Sequence, residues 1–191
     1  MAYLIGSIPS GFLAGKWASG IDLREYGSGS TGATNVLRHV GKLPALIVFL
    51  IDVGKGLLVV VISKEIFSSE TWHVAAGLFA LSGHIWPIWL RWQGGKAVAT
   101  GLGILLGLTW QVGLAAFGIF LLVFSLSKIV SLSSLIASIS LPILMVISFQ
   151  SHFKVPYFIV SIVASTLIVW RHRSNVQRLI KGKEPQIGES N

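Results

Sequence analysis

Long apolar runs alternate with short polar segments along the whole chain. A helix of about 20 apolar residues crosses the hydrocarbon core of a bilayer. Runs of this kind predict spans at residues 1–17, 43–63, 72–90, 129–149 and 155–170. The pattern therefore predicts an all-α integral membrane protein, organised as a single polytopic domain over residues 1–191.

The apolar run from Ala97 to Phe124 is too long for one ordinary span. It has a polar break at Thr109–Gln111 and contains many small residues. One long tilted helix fits this pattern, and so do a short helix, a tight turn and a second helix. The first arrangement gives six spans and the second gives seven.

Lysine and arginine accumulate near the cytoplasmic ends of spans, and their positions favour seven. With seven spans and the N-terminus outside, the cytoplasmic side collects Lys16, Arg24, Arg38, Lys42, Arg91, Lys96, Lys128, Arg171, Arg173, Arg178, Lys181 and Lys183. The outer side keeps Lys64 and Lys154, and Lys55 lies within a span. With six spans this bias disappears. We therefore predict seven transmembrane helices, a short one at about 97–108, and a cytoplasmic C-terminus.

Composition supports a membrane protein. The chain is 53% hydrophobic and 12% charged, with a mean hydropathy of +0.76, whereas soluble domains have about 25% charged residues. The net charge is +8. In a membrane protein such an excess usually reflects basic residues in cytoplasmic loops, which contact anionic lipid headgroups. We therefore expect contact with membrane lipid and not with nucleic acid. The absence of cysteine excludes disulfides and cysteine-based metal or nucleophile sites. The first segment lacks a basic start, which predicts a span and not a cleaved signal.

The segment GSGSTGATNVLR, residues 27–38, has the composition of an anion-binding loop. Glycines permit backbone angles at which successive N–H groups converge on an anion, and hydroxyl side chains add donors. The candidate substrate-binding and catalytic positions here are Gly27, Ser28, Gly29, Ser30, Thr31, Gly32, Thr34, Asn35 and Arg38. The alternative is a flexible polar turn between two spans that binds no ligand, in which Arg38 serves only as a basic residue on the cytoplasmic side.

A short helix is expected to follow this loop and run to His39, capped by Thr31 or Thr34 and stopped by Gly41 and Pro44. Its N-terminus would also favour an anion. The segment lacks the lysine that follows the last glycine of a nucleotide P-loop, so nucleotide binding of that kind is not expected.

Three further groups lie on the predicted cytoplasmic side. Gly94 and Gly95 precede Lys96 at an expected helix start, which suits a phosphate. His172 and Asn175 are spaced to share a helix face in a basic tail. A hydroxyl cluster that includes Ser133 and Ser134 opens the sixth span.

Charged residues also occur within the second predicted span. Asp52 and Lys55 are spaced for an internal ion pair that either organises the core or lines a polar cavity. His84 is interpreted as a packing residue. The chain has no Gly-x-Ser-x-Gly elbow, no His-x4-Asp pair and no metal-binding cluster, so neither a metal nor a cofactor is expected.

Five segments together resemble one known family. They are GSIPSGFLAGK, DLREYGSGSTGATNVLR, DVGKG, GHIWPIWLRWQGGKAVATG and RHRSNVQRLIKGKE, in this order along essentially the whole chain. They are similar to the PlsY family of bacterial membrane glycerol-3-phosphate acyltransferases. The resemblance implies transfer of a fatty acyl group from acyl phosphate to the 1-hydroxyl of glycerol 3-phosphate at the cytoplasmic face of the inner membrane. It implies lysophosphatidic acid and phosphate as products, at the first step of phospholipid synthesis.

The resemblance also implies residue roles. It assigns Ser28, Ser30 and Arg38 to the first motif, the two glycines and Lys96 to glycerol 3-phosphate binding, and His172 and Asn175 to the third, with Glu184 structural. On physical grounds we place the donor phosphate around Gly29 to Asn35 and the glycerol phosphate on Arg38, Lys96 and the tail cations. Ser133 and Ser134 suit either substrate.

Two questions stay open at the sequence level. The proton acceptor is either a substrate phosphate oxygen or His172. The alternative function is a small transporter of an anionic solute. A transporter needs polar residues that are accessible from both sides of the membrane, and the predicted outer loops of this chain offer almost none. Acyl-chain preference and oligomeric state have no signal in the sequence.

Overall fold

The structure is a computed structural model, and it describes residues 1–149 and 154–188. Those residues form ten α-helices and two short 3-10 turns, and none of them lies in a strand. The all-α prediction is therefore confirmed for this part of the chain. The helices pack into two compact units, Met1–Leu108 and Thr109–Asn191. The single-domain assignment over 1–191 stays a prediction.

The first unit contains six helices. They are α1 (Ala2–Gly6), α2 (Ser10–Ser19), α3 (Ala33–His39), α4 (Lys42–Ile66), α5 (Glu70–Ile85) and α6 (Val98–Leu108), with 3-10 turns at Leu23–Glu25 and Ile88–Leu90. The first predicted span is broken into α1 and α2, a difference from the sequence expectation. Pro9 lies at the break; it lacks an N–H donor and restricts the residue before it, Ile8.

The second unit contains α7 (Trp110–Ser127), α8 (Val130–Ser148), α9 (Val155–Arg171) and α10 (Arg173–Ile180). The long apolar run beginning at Ala97 forms two helices, because Thr109 adopts an extended conformation before α7. The polar break seen in the sequence is thus a real helix boundary.

Within the residues that are described, α4, α7 and α8 are long and apolar enough to cross a membrane. The pair α9 and α10, bent by 61°, forms a fourth candidate, whereas α6 is shorter. The number of spans supported directly is therefore three to four. The count of seven and the orientation of the termini remain predictions.

Glycines bring the helices of the first unit into close contact. A Cβ atom on Gly56 of α4 would meet the Thr100 carbonyl oxygen of α6, and one on Gly103 would meet the Val53 carbonyl oxygen. In the same way, Gly83 of α5 lies directly against the backbone of α1. Small residues permit this approach, which is the usual basis of helix packing in membranes.

A small apolar core supports the loop that carries the first motif. Leu23, Val36, Ala45 and Val48 are buried together, so that α3 and the 3-10 turn at Leu23–Glu25 rest on the first half of α4. The loop between them is therefore held at both ends by packed residues.

Candidate active site

Asn35 organises the glycine loop from its centre. Its Nδ2 donates to the carbonyl oxygens of Leu23, Tyr26 and Ser30 at 3.0–3.1 Å, and its Oδ1 accepts from the Ser28 N–H at 3.3 Å. The side chain is 2% exposed. The amide therefore holds the loop in shape, which gives Asn35 a structural use that the sequence did not predict.

The loop consumes several of its own N–H donors. Gly29 N–H donates to Tyr26 O at 3.0 Å, and Gly32 N–H donates to Ser30 Oγ at 3.3 Å. Gly27 and Gly29 have positive φ, as expected, but Gly32 has an extended conformation. The N–H groups of Ser28, Gly29 and Gly32 are thus engaged within the loop, and phosphate binding by the loop stays a prediction.

The helix after the loop ends at His39, as predicted, but its cap differs. Gly32 occupies the N-cap position and no side chain caps the helix, so the expectation of a Thr31 or Thr34 cap is wrong. Pro44 is likewise no stop signal. It lies in the first turn of α4, where a missing N–H costs no helical hydrogen bond.

An ion pair that the sequence analysis did not single out precedes the loop. Arg24 binds Asp22 through two nitrogens, at 3.0 Å from Nε and 2.6 Å from Nη2, and donates from Nη1 to Leu90 O at 3.3 Å. The hydrogen bonds from Arg24 lower the pKa of Asp22 to about 2. Arg24 thus links the segment before the glycine loop to the segment before Gly94 and Gly95.

Gly94 and Gly95 pack against the C-terminal end of α5. Gly94 N–H donates to Ile85 O at 3.2 Å, and Gly95 N–H donates to His84 O at 3.1 Å. A Cβ on Gly94 would meet the His84 carbonyl oxygen, and one on Gly95 would meet the His84 ring. Their N–H groups are therefore engaged in the fold. A helix does begin at Val98, shortly after the half-buried Lys96, as predicted.

The predicted ion pair in the second span is present, and it belongs to a larger buried cluster. Lys55 Nζ lies 2.7 Å from Asp52 Oδ1, 3.1 Å from Ile8 O and 2.8 Å from His84 Nδ1. Ser10 Oγ donates to the same Asp52 oxygen at 2.7 Å. His84 is therefore a member of an ionic network and not only a packing residue.

A small cavity adjoins this network. Its lining consists of Ser7, Ile8, Pro9, Ser10, Thr31, His84 and Pro87. Thr31 is 4% exposed and brings the glycine loop to the cavity wall. The first motif and the residue that supports the second motif thus lie on one cavity within the first unit.

The second unit holds the remaining predicted residues. Ser133 and Ser134 are buried, and their hydroxyls donate to the carbonyls of Ile129 and Val130, each at 2.8 Å. Serine hydroxyls often bond in this way to the carbonyl four residues earlier. Only their acceptor capacity is left for a substrate.

Glu184 is the centre of a polar cluster in this unit. Its carboxylate accepts from Asn175 Nδ2 at 2.6 Å, Ser131 Oγ at 2.8 Å and Arg178 Nε at 2.7 Å. Burial raises the pKa of Glu184, but these hydrogen bonds outweigh it and the net pKa is lowered. The cluster fastens the chain after α10 to the start of α8 and gives Asn175 a structural partner.

His172 lies at the bend between α9 and α10 and is 3% exposed. Its Nδ1 is 2.8 Å from the Ile168 carbonyl oxygen, which can only accept. The ring proton is therefore on Nδ1, and Nε2 is the basic nitrogen. His172 is the residue between α9 and α10, whereas Asn175 lies within α10, so the shared helix face stays a prediction.

The predicted polar residues of the loop differ in exposure. Ser30 is buried, while Ser28, Thr34 and Arg38 are half-buried. Two features that sequence reasoning did not assign to the site had usable signals. Asp22 and Arg24 are oppositely charged neighbours directly before the loop, and an ionisable residue in a span, such as Lys55, requires partners.

Comparison with known proteins gives a consistent result. A family model described as glycerol-3-phosphate acyltransferase matches residues 1–182. A glycerol-3-phosphate acyltransferase of Prochlorococcus marinus strain SARG is 62% identical over 191 residues, covering 100% of this chain and 93% of that protein. The same-named protein of strain MIT 9211 is 63% identical over 192 residues, with the same coverage.

Two solved structures are also similar to this chain. Both are crystal structures of PlsY (YgiH), an integral membrane glycerol 3-phosphate acyltransferase, in a glycerol 3-phosphate form and a lysophosphatidic acid form. Their TM-scores are 0.88 and 0.87, at 36% identity, and each match covers 98% of this chain and 92% of the other.

Proposed function

This chain belongs to the glycerol-3-phosphate acyltransferase family, and we propose that it transfers a fatty acyl group from acyl phosphate to the 1-hydroxyl of sn-glycerol 3-phosphate. The products are lysophosphatidic acid and inorganic phosphate. The observation that carries this proposal is the similarity, over 98% of the chain, to PlsY structures named for glycerol 3-phosphate and for lysophosphatidic acid. Acyl phosphate as the donor is our proposal, based on the resemblance of the motifs to the PlsY family.

The reaction is a substitution at the acyl carbon. The 1-hydroxyl oxygen of glycerol 3-phosphate forms a bond to that carbon, and the bond from the carbon to the bridging phosphate oxygen breaks. The electron pair leaves with phosphate, and the hydroxyl proton goes to a phosphate oxygen. Because acyl phosphate is a mixed anhydride with a good leaving group, positioning supplies much of the required catalysis.

In the first unit, we assign anion binding to side chains. Arg38 and Lys96 supply positive charge. Ser28, Ser30 and Thr31, which precede Arg38 in the same motif, supply hydroxyl groups. Because the N–H groups of Ser28, Gly29 and Gly32 bond within the loop, we assign more of the phosphate binding to the hydroxyl groups than to these N–H groups. Asn35, Gly94 and Gly95 then act by shaping the two loops. Charged donors directed at phosphate oxygens also stabilise the developing negative charge.

In the second unit, we assign substrate contacts to His172, Asn175, Ser133 and Ser134. Asn175 donates from Nδ2 to Glu184, which fixes the orientation of its amide. An amide held in this way suits a hydroxyl group of the glycerol as its partner. The tail cations Arg173, Lys181 and Lys183 are exposed and suit anionic headgroups.

We further propose that the 1-hydroxyl proton of glycerol 3-phosphate is accepted by a phosphate oxygen of a substrate and not by a base of the protein. The chain has no carboxylate–histidine pair of the usual acyltransferase spacing. His172, with Nε2 as its basic nitrogen, is the rival acceptor. If His172→Ala abolishes kcat while both KM values stay unchanged, the substrate-assisted route is wrong. An increase confined to KM supports it.

We place the protein in the bacterial cytoplasmic membrane as a multi-pass protein with seven spans, the N-terminus outside and the motifs on the cytoplasmic side. The positive-inside distribution of lysine and arginine supports this orientation.

A donor assay tests the proposed function. Purified protein is given glycerol 3-phosphate with either acyl phosphate or acyl-CoA, and lysophosphatidic acid is measured. We expect product with acyl phosphate and none with acyl-CoA. Product from acyl-CoA alone would overturn the donor assignment, and no product from either donor would overturn the enzyme assignment.

A further inference from the structure

The buried cluster of Ser10, Asp52, Lys55 and His84 takes no part in the reaction assigned above. Asp52 is 1% exposed and Lys55 is 5% exposed, in the middle of α4. A buried ion pair is often no more stabilising than apolar residues of the same volume, and charges within a span are costlier still. Stability alone is therefore a weak reason for this cluster, and its contacts must be considered.

Lys55 uses all of its donors. An ammonium group has three protons and no acceptor, and Nζ has three acceptors in reach: Asp52 Oδ1, Ile8 O and His84 Nδ1. The Ile8 carbonyl belongs to the break between α1 and α2, where helical bonding is interrupted. Lys55 therefore ties this break to the centre of α4.

The contact with Lys55 also sets the state of the His84 ring. His84 Nδ1 lies 2.8 Å from Lys55 Nζ, which as an ammonium can only donate, and 3.6 Å from Asp52 Oδ1, which is too long for a hydrogen bond. The shorter contact makes Nδ1 an acceptor and puts the ring proton on Nε2. The Nε2 edge faces Gly95 so closely that a Cβ there would meet it. The ring therefore acts as a support for the segment that carries Lys96, the next residue along the chain.

The same cluster reaches the glycine loop. Ser10, bound to Asp52, and His84 both line the cavity whose wall includes Thr31. Gly11, the next residue after Ser10, lies against the Thr31 carbonyl oxygen with no room for a Cβ. A shift of Ser10 or His84 would consequently move both the glycine loop and the segment that carries Gly95 and Lys96.

We propose that Asp52 and Lys55 are positioning residues: through His84 they fix Lys96 for glycerol 3-phosphate, and through Ser10 they fix the glycine loop for the donor phosphate. Neither residue touches substrate in this scheme. The kinetic part rests on the proposed function, whereas the state of the His84 ring does not.

The kinetic test replaces the pair with uncharged residues of similar size, Asp52→Asn with Lys55→Met. The introduced asparagine retains an acceptor for Ser10, so the double variant removes both charges without leaving either one unpaired. Ser63→Ala in the same helix is the matched control, because Ser63 is 4% exposed and its hydroxyl has no hydrogen-bond partner in the described chain.

We expect the double variant to unfold thermally close to the control and to show a KM for glycerol 3-phosphate raised about tenfold or more, since small misplacements of binding groups are costly. The KM for acyl phosphate should rise as well, because the same cluster supports the glycine loop. KM values as in the control, or a fall in kcat alone, would overturn the positioning role.

A spectroscopic test needs no activity and applies even if the double variant does not fold. Wild-type protein with ¹⁵N-labelled histidine is studied by NMR at neutral pH, and the His84 signals are assigned by their loss in His84→Gln. We expect an unprotonated Nδ1 and a protonated Nε2. A proton on Nδ1 would overturn the proposal even if the acyltransferase assay succeeds. The expected signals would support it even if that assay fails.

Discussion

At the residue scale, Asn35 has the most informative environment in the first motif. One amide group serves three carbonyls and one N–H, all from the loop around it. An aspartate has nearly the same shape but no donor, so it would set a negative charge against three carbonyl oxygens. The loop geometry therefore depends on an amide and not only on the size of the side chain.

We expect Asn35→Asp to reduce the free energy of unfolding by about 2–4 kcal/mol, because several buried hydrogen bonds are lost together. Thermal or denaturant unfolding in detergent measures this. Thr34→Ala, one position earlier on the same helix and half-buried, is the control and should stay within about 1 kcal/mol. Equal stability of Asn35→Asp and wild type would contradict the bracing role of the amide.

Sequence reasoning identified these residues but not their use. The short helix that carries Thr34, Asn35 and Arg38 was predicted, yet the pattern gave no reason to expect that Asn35 points into the loop. The carbonyls of Leu23 and Tyr26 become partners only after the chain has turned back on itself. The pairing of Lys55 with His84, 29 positions away, was invisible for the same reason.

At the element scale, glycines control how closely α4 and α6 approach. Gly56 has no space for a Cβ because the Thr100 carbonyl oxygen occupies it, whereas Gly54, in the same helix, has nothing within 4 Å. These two positions form a natural matched pair. They separate the effect of helix contact from the ordinary helix propensity of alanine.

We expect Gly56→Ala to destabilise the protein by about 1–3 kcal/mol, because an added methyl group must push the two backbones apart. Gly54→Ala should be neutral or stabilising by up to about 1 kcal/mol. Unfolding of the two variants under one set of conditions provides the comparison. A similar effect at both positions would show that close helix contact is not the cause.

Glu184 makes the stability of the second unit depend on pH. Its pKa in the folded protein lies below the ordinary value of 4.5, so its contribution to stability is fully present above that value. The contribution is lost as the pH falls through the lower folded pKa. We expect Glu184→Gln to be less stable at pH 7, and to lose less further stability on acidification than wild type does.

A pH series of unfolding midpoints measures this difference, with Glu65→Gln, at an exposed position of α4, as the control. If wild type and Glu184→Gln lose stability in parallel between about pH 5 and 3, the carboxylate does not hold the tail as described.

Helix boundaries were predictable where one local signal decides them. The polar residues at Thr109–Gln111 marked the end of α6, and the short helix ended at His39 as expected. The break between α1 and α2 was missed because an apolar run hides it. Pro9 is the strong local signal there, and the Ile8 carbonyl accepts from Ser10 N–H and from Lys55 of another helix.

At the scale of the whole molecule, topology rests on charge. The cytoplasmic assignment of the loop after α5 and the outer assignment of the loop after α4 follow from lysine and arginine counts. Ser68 and Gln93 are exposed positions in these two loops. The chain has no cysteine, so a single introduced thiol reports on one position only.

We expect Ser68→Cys to react with a membrane-impermeant maleimide added to the outside of intact cells, and Gln93→Cys to react only after the membrane is opened. Mass shift on a gel measures both. The reverse result would invert the topology and place the motifs outside.

The central claim is a transfer reaction, and coupled stoichiometry tests it most directly. Purified protein in lipid vesicles is given acyl phosphate with and without glycerol 3-phosphate, while phosphate and lysophosphatidic acid are both measured over time. The account predicts one phosphate released for each lysophosphatidic acid formed, and almost no phosphate without glycerol 3-phosphate. Phosphate release that does not depend on glycerol 3-phosphate, with no acylated product, would contradict it.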